Sequence, residues 1–572
     1  MSDTLDSIRI VDMPDLGVVN DNSSVVGERS GSGRFSAPAL RTYVRSDAAN
    51  VRDFGARGDG ANDDTGAIQA ALNTGRAVRI PAGIYRITSQ LAFSTPGQSI
   101  VGDGRRSTII RVSPSTGFTT GIFVVTNPTP AIDAGHYFAD FTLSMSQPDT
   151  ANRASLNAYP PAFYLYQTTR VQMENVRIVG GIDGIFMYGN CGGFRGFGLD
   201  FGNFGRNIYI DGNLDVTSFT DCEVWPFSER GIMTANQMSI MADQNCYGIL
   251  SLRNDYLDWK GGLFLCGRAA VFQNQPSGSQ PGPTYGHFTG TGFDTYGGLE
   301  VSAGNILTDN CVFSVAGGVP SPGSPAKNCV THTGGHVTVR GAYMTFGSLL
   351  TNNSAAIYSN VPSGDASLIV DNTRVELGPL DQRAIYVTPS SSLDLSLVIN
   401  GNKFDRSPTG AYTTSIIELN GGYGSVTGNV CSRWNGATGA TSFLAVNTGT
   451  GPINVRGNSS NGWTTTVNGN PVAVANLLSI PAVFGEGMAE VAVTGSGTIG
   501  GMTYAAAGVT TPFAGQIVTL LFAAPVTVNT GTVGVAGQFI LNGRTNFAGN
   551  ANSSLTVQLN FQGNWQEIGR CL

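Results

Sequence analysis

Residues 51–88, VRDFGARGDGANDDTGAIQAALNTGRAVRIPAGIYRIT, decide how the rest of the chain reads. The segment DDTGAIQAALNTG (63–75) has helical periodicity over about three turns. Ala67, Ile68, Ala71 and Leu72 form one apolar stripe, Asp63 or Asp64 supplies the N-cap, and Gly75 supplies the stop. AVRIPAGIYRIT (77–88) and QSIVGDG (98–104) then alternate short apolar runs with turn residues, so they read as short strands. One helix followed by stacked short strands is the signature of a cap over the open end of a solenoid, whose first coil would otherwise expose its core.

Working outward, the strand-and-turn unit recurs irregularly from about 113 to 470. Examples are MENVRIVGG (173–181), FTDCEVW (219–225), ADQNCYGI (242–249), LTDNCVFSV (307–315), VDNTRVEL (370–377), INGNKFD (399–405), VTGNVC (426–431) and VRGNSS (455–460). Asn372, Asn402, Asn429 and Asn458 are 30, 27 and 29 residues apart, which suits coils of three strands and three turns. Asparagine tolerates the left-handed turn conformation and bonds its own backbone, so stacked coils could align these amides into an internal ladder. Stretches 272–286 and 316–328 are loop-like insertions between coils. From 471 to 572 the pattern changes to alternating strands with Gly/Asn turns, as in GQIVTLLFAAPVTVNTG (515–531) and SSLTVQLNFQGNWQEIGR (553–570), and reads as an antiparallel β-sandwich. Residues 1–49 form a polar leader with Gly/Ser clusters at 22–24 and 30–33. Residues 50–112 are the cap and first coils, and 113–470 the main solenoid.

Composition agrees with an all-β chain. There are 77 glycines among 572 residues without a G-x-y period, which excludes collagen. Only 12% of residues are charged, so solubility rests on Ser, Thr and Asn and on closed sheet edges. The net charge of −7 without a basic run argues against nucleic acid as a partner. The acidic start MSDTLDSIRIVDMPDLG lacks a signal-peptide core, and the absence of an apolar run of about 18 residues argues against membrane insertion. The eight cysteines include no C-x-x-C pair and read as buried reduced thiols, consistent with synthesis in a reducing cytoplasm.

Residues 51–65, VRDFGARGDGANDDT, followed by AIQAAL, VRIPAGIYRI and IVGDGRRSTII, resemble the opening motif of pectate-lyase-like β-helix proteins, including phage tailspikes. Asn62 stands where the family more often has Thr. The resemblance covers about 50–112 strictly and extends loosely to about 465; GQIVTLLF and NWQEIGR look like terminal modules of tailspikes. It implies a right-handed parallel β-helix and a homotrimer. It also implies attachment to phage tail or baseplate proteins through the leader, location in the virion, and a bacterial capsule or O-chain as substrate. Asp53, Asp59, Asp63 and Asp64 are explained by turn and cap roles, and GDGRRST lacks the spacing and lysine of a phosphate loop.

Glycoside hydrolysis needs an acid and a second carboxylate, and sugars stack on aromatic rings. The densest coincidence lies at 221–260. Glu223, Asp255 and Asp258 are candidate catalytic carboxylates there, and Trp225, Arg253, Tyr256 and Trp259 candidate substrate contacts. A second cluster supplies Asp294 and Glu300 as catalytic candidates and Tyr296 as a substrate contact, with Asp309 nearby. A third, Asp371, Arg374, Glu376, Asp381 and Arg383, reads as carboxylates and arginines pairing with each other. No cofactor or metal is expected. The chief alternative is a lyase eliminating across a uronic acid, with His287, His332 or His336 as possible bases. Two others are a receptor-binding β-helix without chemistry and a purely structural fibre.

Overall fold

The computed structural model describes residues 48–93, 95–126, 134–273, 284–295, 297–315, 328–346, 355–378, 382–388, 391, 394–406, 414–433, 443–447, 450, 453–456, 458–461, 467–468, 472–473, 477–480, 483–484, 489–504 and 517–572. The leader, Tyr296, Asp381 and most of the two insertions lie outside them. Two compact units divide the chain, one ending at Ile240 and the other beginning at Met241.

In the first unit the expected helix spans Thr65–Leu72, with Ile68, Ala71 and Leu72 buried. Asp63 performs the capping: its carboxylate accepts the Thr65 N–H at 3.1 Å. Asp64 instead turns back to accept the backbone N–H groups of Arg57 and Gly58, closing the GARGDG turn. Gly75 ends the segment at φ +73°, bonding its N–H to the Leu72 carbonyl.

Three parallel ladders then stack coil upon coil. One runs through Val78–Ile80, Ser99–Gly102, Tyr137–Ala139, Gln172–Glu174 and Arg195–Phe197. A second runs through Leu91–Phe93, Phe123–Thr126, Phe163–Tyr166, Ile185–Tyr188 and the start of Arg206–Thr220. The third runs through Gly83–Ser89, Thr108–Gly117, Thr142–Met145, Arg177–Val179, Asp200–Gly202 and Glu223–Val224. Inward side chains fill the interior, where Phe93, Phe123, Phe138 and Phe163 pack edge-on or tilted with centroids 4.9–6.2 Å apart. Crossovers between parallel strands of one sheet are right-handed because of strand twist, so the coils form a right-handed parallel β-helix.

The second unit repeats the plan. Tyr285–Thr289, Asn305–Asp309, His336–Arg340, Ala366–Asp371, Leu395–Asn400 and Tyr423–Thr427 make one parallel ladder. Gly292–Thr295, Val312–Val315, Tyr343–Phe346, Arg374–Leu377, Lys403–Arg406 and Val430–Arg433 make another. The expected asparagine ladder exists: Asn402 donates to Asn429, and Asn429 to Asn458. Asn372 stands one position off, at φ +48° in the turn, and Thr373 takes the ladder place, donating its N–H to Asn402.

Parallel pairing runs on past residue 471, through Ala489–Thr494 with Ile517–Phe522. Among the described strands, antiparallel pairing begins where Ile517–Phe522 meets Ser554–Leu559, which in turn pairs with Trp565–Cys571, apart from isolated antiparallel bridges of Phe227 with Ile232 and of Gly501 with Gln538. Val526–Val528 also pairs antiparallel with Phe547–Gly549. The terminal module therefore grows out of the last parallel strands. Alternation and turn residues specify strands but not their sense, so the sequence border falls early. Seven cysteines are buried thiols outside any disulfide, and Cys571, one residue from the end, is exposed.

A carboxylate pair and a tyrosine–histidine relay

In the first unit, Arg177, Asp200 and Glu223 are consecutive register partners on one ladder. They stand one above the next, with strands about 4.8 Å apart. Asp200 is 4% exposed. Its Oδ2 accepts from Arg177 Nη2 at 2.7 Å and Nε at 3.0 Å, while Oδ1 is held by Arg105, a more exposed residue, at 2.9 Å. Glu223 is half-buried. Burial, and then the charge of neighbouring Asp200, raises its carboxyl above the ordinary range, against the pull of Arg105 and Arg177. Trp225 follows two positions on, half-buried. The chain then folds over the same face: the Phe227 ring lies 4.6 Å from the Arg177 guanidinium, and Glu229 takes Arg111 in a two-pronged pair at 2.7 and 2.9 Å. Gly202 permits that approach, because a Cβ there would meet the Phe227 carbonyl at 2.4 Å. Of this cluster, Glu223 and Trp225 are sequence candidates, whereas Asp200, Arg177 and Arg105 are not. The signal was present in the equal 23-residue steps from 177 to 200 to 223.

In the second unit, His287 is the centre of another cluster. Its Nε2 lies 3.0 Å from Asp309, whose carboxylate is also gripped by Arg340 at 2.6 and 2.9 Å. The Arg340 bonds, with help from His287, lower the Asp309 carboxyl below its usual value. In the neutral tautomer that donates from Nε2 to this acceptor, Nδ1 is the lone-pair nitrogen. Nδ1 faces the Tyr256 hydroxyl at 3.3 Å and Asp258 at 3.9 Å. Lys260 pairs with Asp258 at 2.6 Å. Burial, then the Asp258 charge, raises the Tyr256 phenol. Asp258, Tyr256 and His287 are thus brought together, and Asp309 joins them.

The other candidates are placed as follows. Trp259 is fully buried with its ring 4.5 Å from Phe264, and its Nε1 donates to the Gly261 carbonyl. It is a core residue, because strand alternation sends it inward between outward Asp258 and Lys260; it offers no face to a sugar. Asp255 is outward and paired at 2.6 Å with Arg253, itself 8% exposed, so that arginine is committed to the strand rather than open to a ligand. Glu300 has both oxygens on Arg268. Asp294 is half-buried on its ladder, its carboxyl raised by burial. In the third cluster Arg374 pairs with Glu376 and Asp405, and Arg383 with Glu418. Among the described residues no set of His, Cys, Asp and Glu is grouped to hold a metal, and no helix is long and apolar enough to cross a membrane.

Half-buried His336 bonds Ser367, whereas His332 is fully buried between Ser359 and the Gly335 carbonyl, and burial lowers its pKa to about 4. An unfolded histidine titrates near 6.5. The folded value is the lower one, so the stabilisation is complete above pH 6.5 and is lost as pH falls from about 6.5 to about 4. That shift corresponds to about 3 kcal/mol. His332→Gln keeps a donor for Gly335 and removes the titration. Urea midpoints of the wild type should fall more steeply over that window than those of the variant; parallel curves would refute the assignment.

Residues 48–156 match the family model described as rhamnogalacturonase A/epimerase, pectate lyase-like. The chain is similar to alginate lyase 7 of Azotobacter vinelandii, at 36% identity over 113 residues, 18% of this chain and 13% of that one. It spans only 4 to 21% of the length of the curated relatives it matches. Among solved structures, the catalytic unit of a GH87 α-1,3-glucanase from Streptomyces thermodiastaticus strain HF3-3 has a TM-score of 0.41 and 15% identity, covering 74% of this chain and 70% of that one. Tailspike protein 3 of bacteriophage CBA120 has a TM-score of 0.40 and 12% identity, covering 92% and 69%. The described coils and capping helix make the fold a parallel β-helix, and within it residues 48–156 match the pectate-lyase-like model.

Proposed function

We propose that this chain is a tailspike-type depolymerase that hydrolyses a bacterial surface polysaccharide, with the Asp200–Glu223 pair as its acid and second carboxylate. The observation that carries the reading is Glu223, a half-buried carboxyl stacked in register on buried Asp200 and raised by burial and then by the Asp200 charge. A raised carboxyl is the direction that a general acid requires. Glu223 would protonate the leaving glycosidic oxygen. Asp200 Oδ1, held only by Arg105, would become available when a sugar displaces that side chain, while Arg177 keeps Oδ2 fixed. Trp225 would receive an apolar sugar face. Attachment to a phage tail through the leader and assembly as a homotrimer go with the same reading, on the strength of the resemblance over about 50–112 and of the polar leader. The test is incubation with capsule or O-chain fragments and mass analysis. Products heavier by one water support hydrolysis, and unaltered chains of the true host polymer refute it.

The Tyr256–His287–Asp309 relay favours a second reading, β-elimination on a uronic acid. Tyr256, its proton passed to His287 Nδ1, would remove the C5 proton; the electrons form C4=C5, and the C4–O bond breaks with its oxygen taking up a proton. Products would then carry no added water and would absorb in the ultraviolet. His287→Ala should abolish that absorbance under this reading and leave water-added products intact under the first.

A further inference from the structure

The terminal module carries an apolar tip that the carboxylate pair does not use. Phe561 is 98% exposed in the turn between Ser554–Leu559 and Trp565–Cys571. A neighbouring loop exposes Val533 and Val535 at 43% and 45%. The two loops are tied together by fully buried Asn564, whose Oδ1 accepts from Gly534 N–H at 2.7 Å and whose Nδ2 donates to the Val535 carbonyl at 2.6 Å. Asn560 fixes the Phe561 turn by accepting the N–H groups of Gln562 and Asn564 at 2.9 and 3.0 Å. Beneath it Trp565 is buried, its Nε1 bonded to the Met502 carbonyl. No Asp, Glu, Lys or Arg occurs in residues 526–543 or 545–566.

We propose that this tip is a binding site for a neutral pyranoside glycan, separate from the cleavage site and independent of whether cleavage is hydrolytic. A rigid turn with one outward ring loses little conformational entropy on binding. A ring face is the surface onto which the C–H face of a sugar packs, and the amides of Gln562 and the hydroxyl of Thr532, both exposed, are neutral partners for sugar hydroxyls. The lack of Asp, Glu, Lys or Arg in either loop disfavours an acidic polymer. As the whole of a contact between two copies the tip is too small, because one phenyl ring and two valines offer a few hundred Å², against the roughly 800 Å² per partner of a stable protein contact; a contact through the tip within a larger interface is what the solution mass reads.

Affinity electrophoresis of the full chain in native gels containing dextran, laminarin or galactomannan tests this, with polygalacturonate as the anionic control. All arms use a Glu223→Gln background, so retention is read without cleavage and survives failure of the depolymerase reading. Retardation is expected in at least one neutral gel, with its dissociation constant raised at least tenfold by Phe561→Ala and largely kept by Phe561→Tyr. Phe561 contacts little else, so the variant should keep the parental unfolding midpoint and solution mass. Migration unaffected by all three neutral polymers overturns the proposal, as does equal retardation of Phe561→Ala. A changed solution mass with unchanged retardation overturns it in favour of a contact between copies.

Discussion

Glu223→Gln is expected to lower the rate of polymer cleavage by about 10²–10⁴-fold while leaving polymer binding in place. That range is the usual contribution of a positioned proton donor. The amide preserves size and hydrogen bonding but has no proton to give. Glutamine is preferable to any change at Asp200 for a physical reason: Asp200 and Arg177 are both nearly inaccessible, and removing one partner of a buried ion pair costs about 3–5 kcal/mol. Loss of activity in an Asp200 variant would therefore mix chemistry with misfolding. The pH profile supplies a second readout. Because the Glu223 carboxyl is raised, the wild type should stay active at pH values where an ordinary glutamic acid is already ionised, and should lose rate as pH rises through that higher value. Replacing Arg105, which opposes the rise, by Gln should move this alkaline limb further up. A Glu223→Gln protein that cleaves at the parental rate would remove the carboxylate pair from the reaction.

The capping helix, the short strands and the asparagine ladder were legible because each rests on local chemistry. A helical stripe, a turn residue at φ > 0 and a recurring amide are all visible within a few residues of chain. The site was legible only in part. Glu223 and Trp225 stood out by composition, but Asp200 sits in FGLDFGN, an ordinary-looking strand, and becomes interesting only when the coil length places it under Glu223. The step of 23 residues from Arg177 to Asp200 and again to Glu223 is that coil length, and it varies elsewhere because turns lengthen: Arg340 and Asp371 are partners 31 apart. Trp259 failed for a different reason. In YLDWK the inward and outward faces alternate, and the parity that sends Asp258 and Lys260 outward sends the tryptophan into the core. A catalytic face in a solenoid is thus encoded jointly by coil length and by parity, and a composition cluster such as 221–260 contains neither.

Asn429→Ala should be among the most damaging single changes in the second unit, lowering its stability by about 4 kcal/mol. The side chain is fully buried. Its Oδ1 accepts from Asn402 N and Nδ2 at 3.0 and 2.9 Å, and its Nδ2 donates to the Ile399 carbonyl and to Asn458 Oδ1, both at 2.9 Å. Alanine leaves the Asn402 N–H and the Ile399 carbonyl without partners inside the solenoid, at about 1–3 kcal/mol each, and adds a cavity. Asn402 Nδ2 keeps its bond to the Val370 carbonyl, which limits the loss. Asn400→Ala is the matched control: it is an exposed asparagine bonded to Asp371 on the surface, and such changes stay within about 0.5 kcal/mol. Each coil contacts only its neighbours, so the damage should be local first. Amide exchange should accelerate in 395–406 and 423–433 before the rest of the unit, and the urea midpoint should drop. Equal exchange and equal midpoints for Asn429→Ala and Asn400→Ala would mean that the ladder follows coil stacking rather than enforcing it. The distinction matters for function, since outward residues such as His287, Asp309 and Arg340 face one another only while successive coils hold their register.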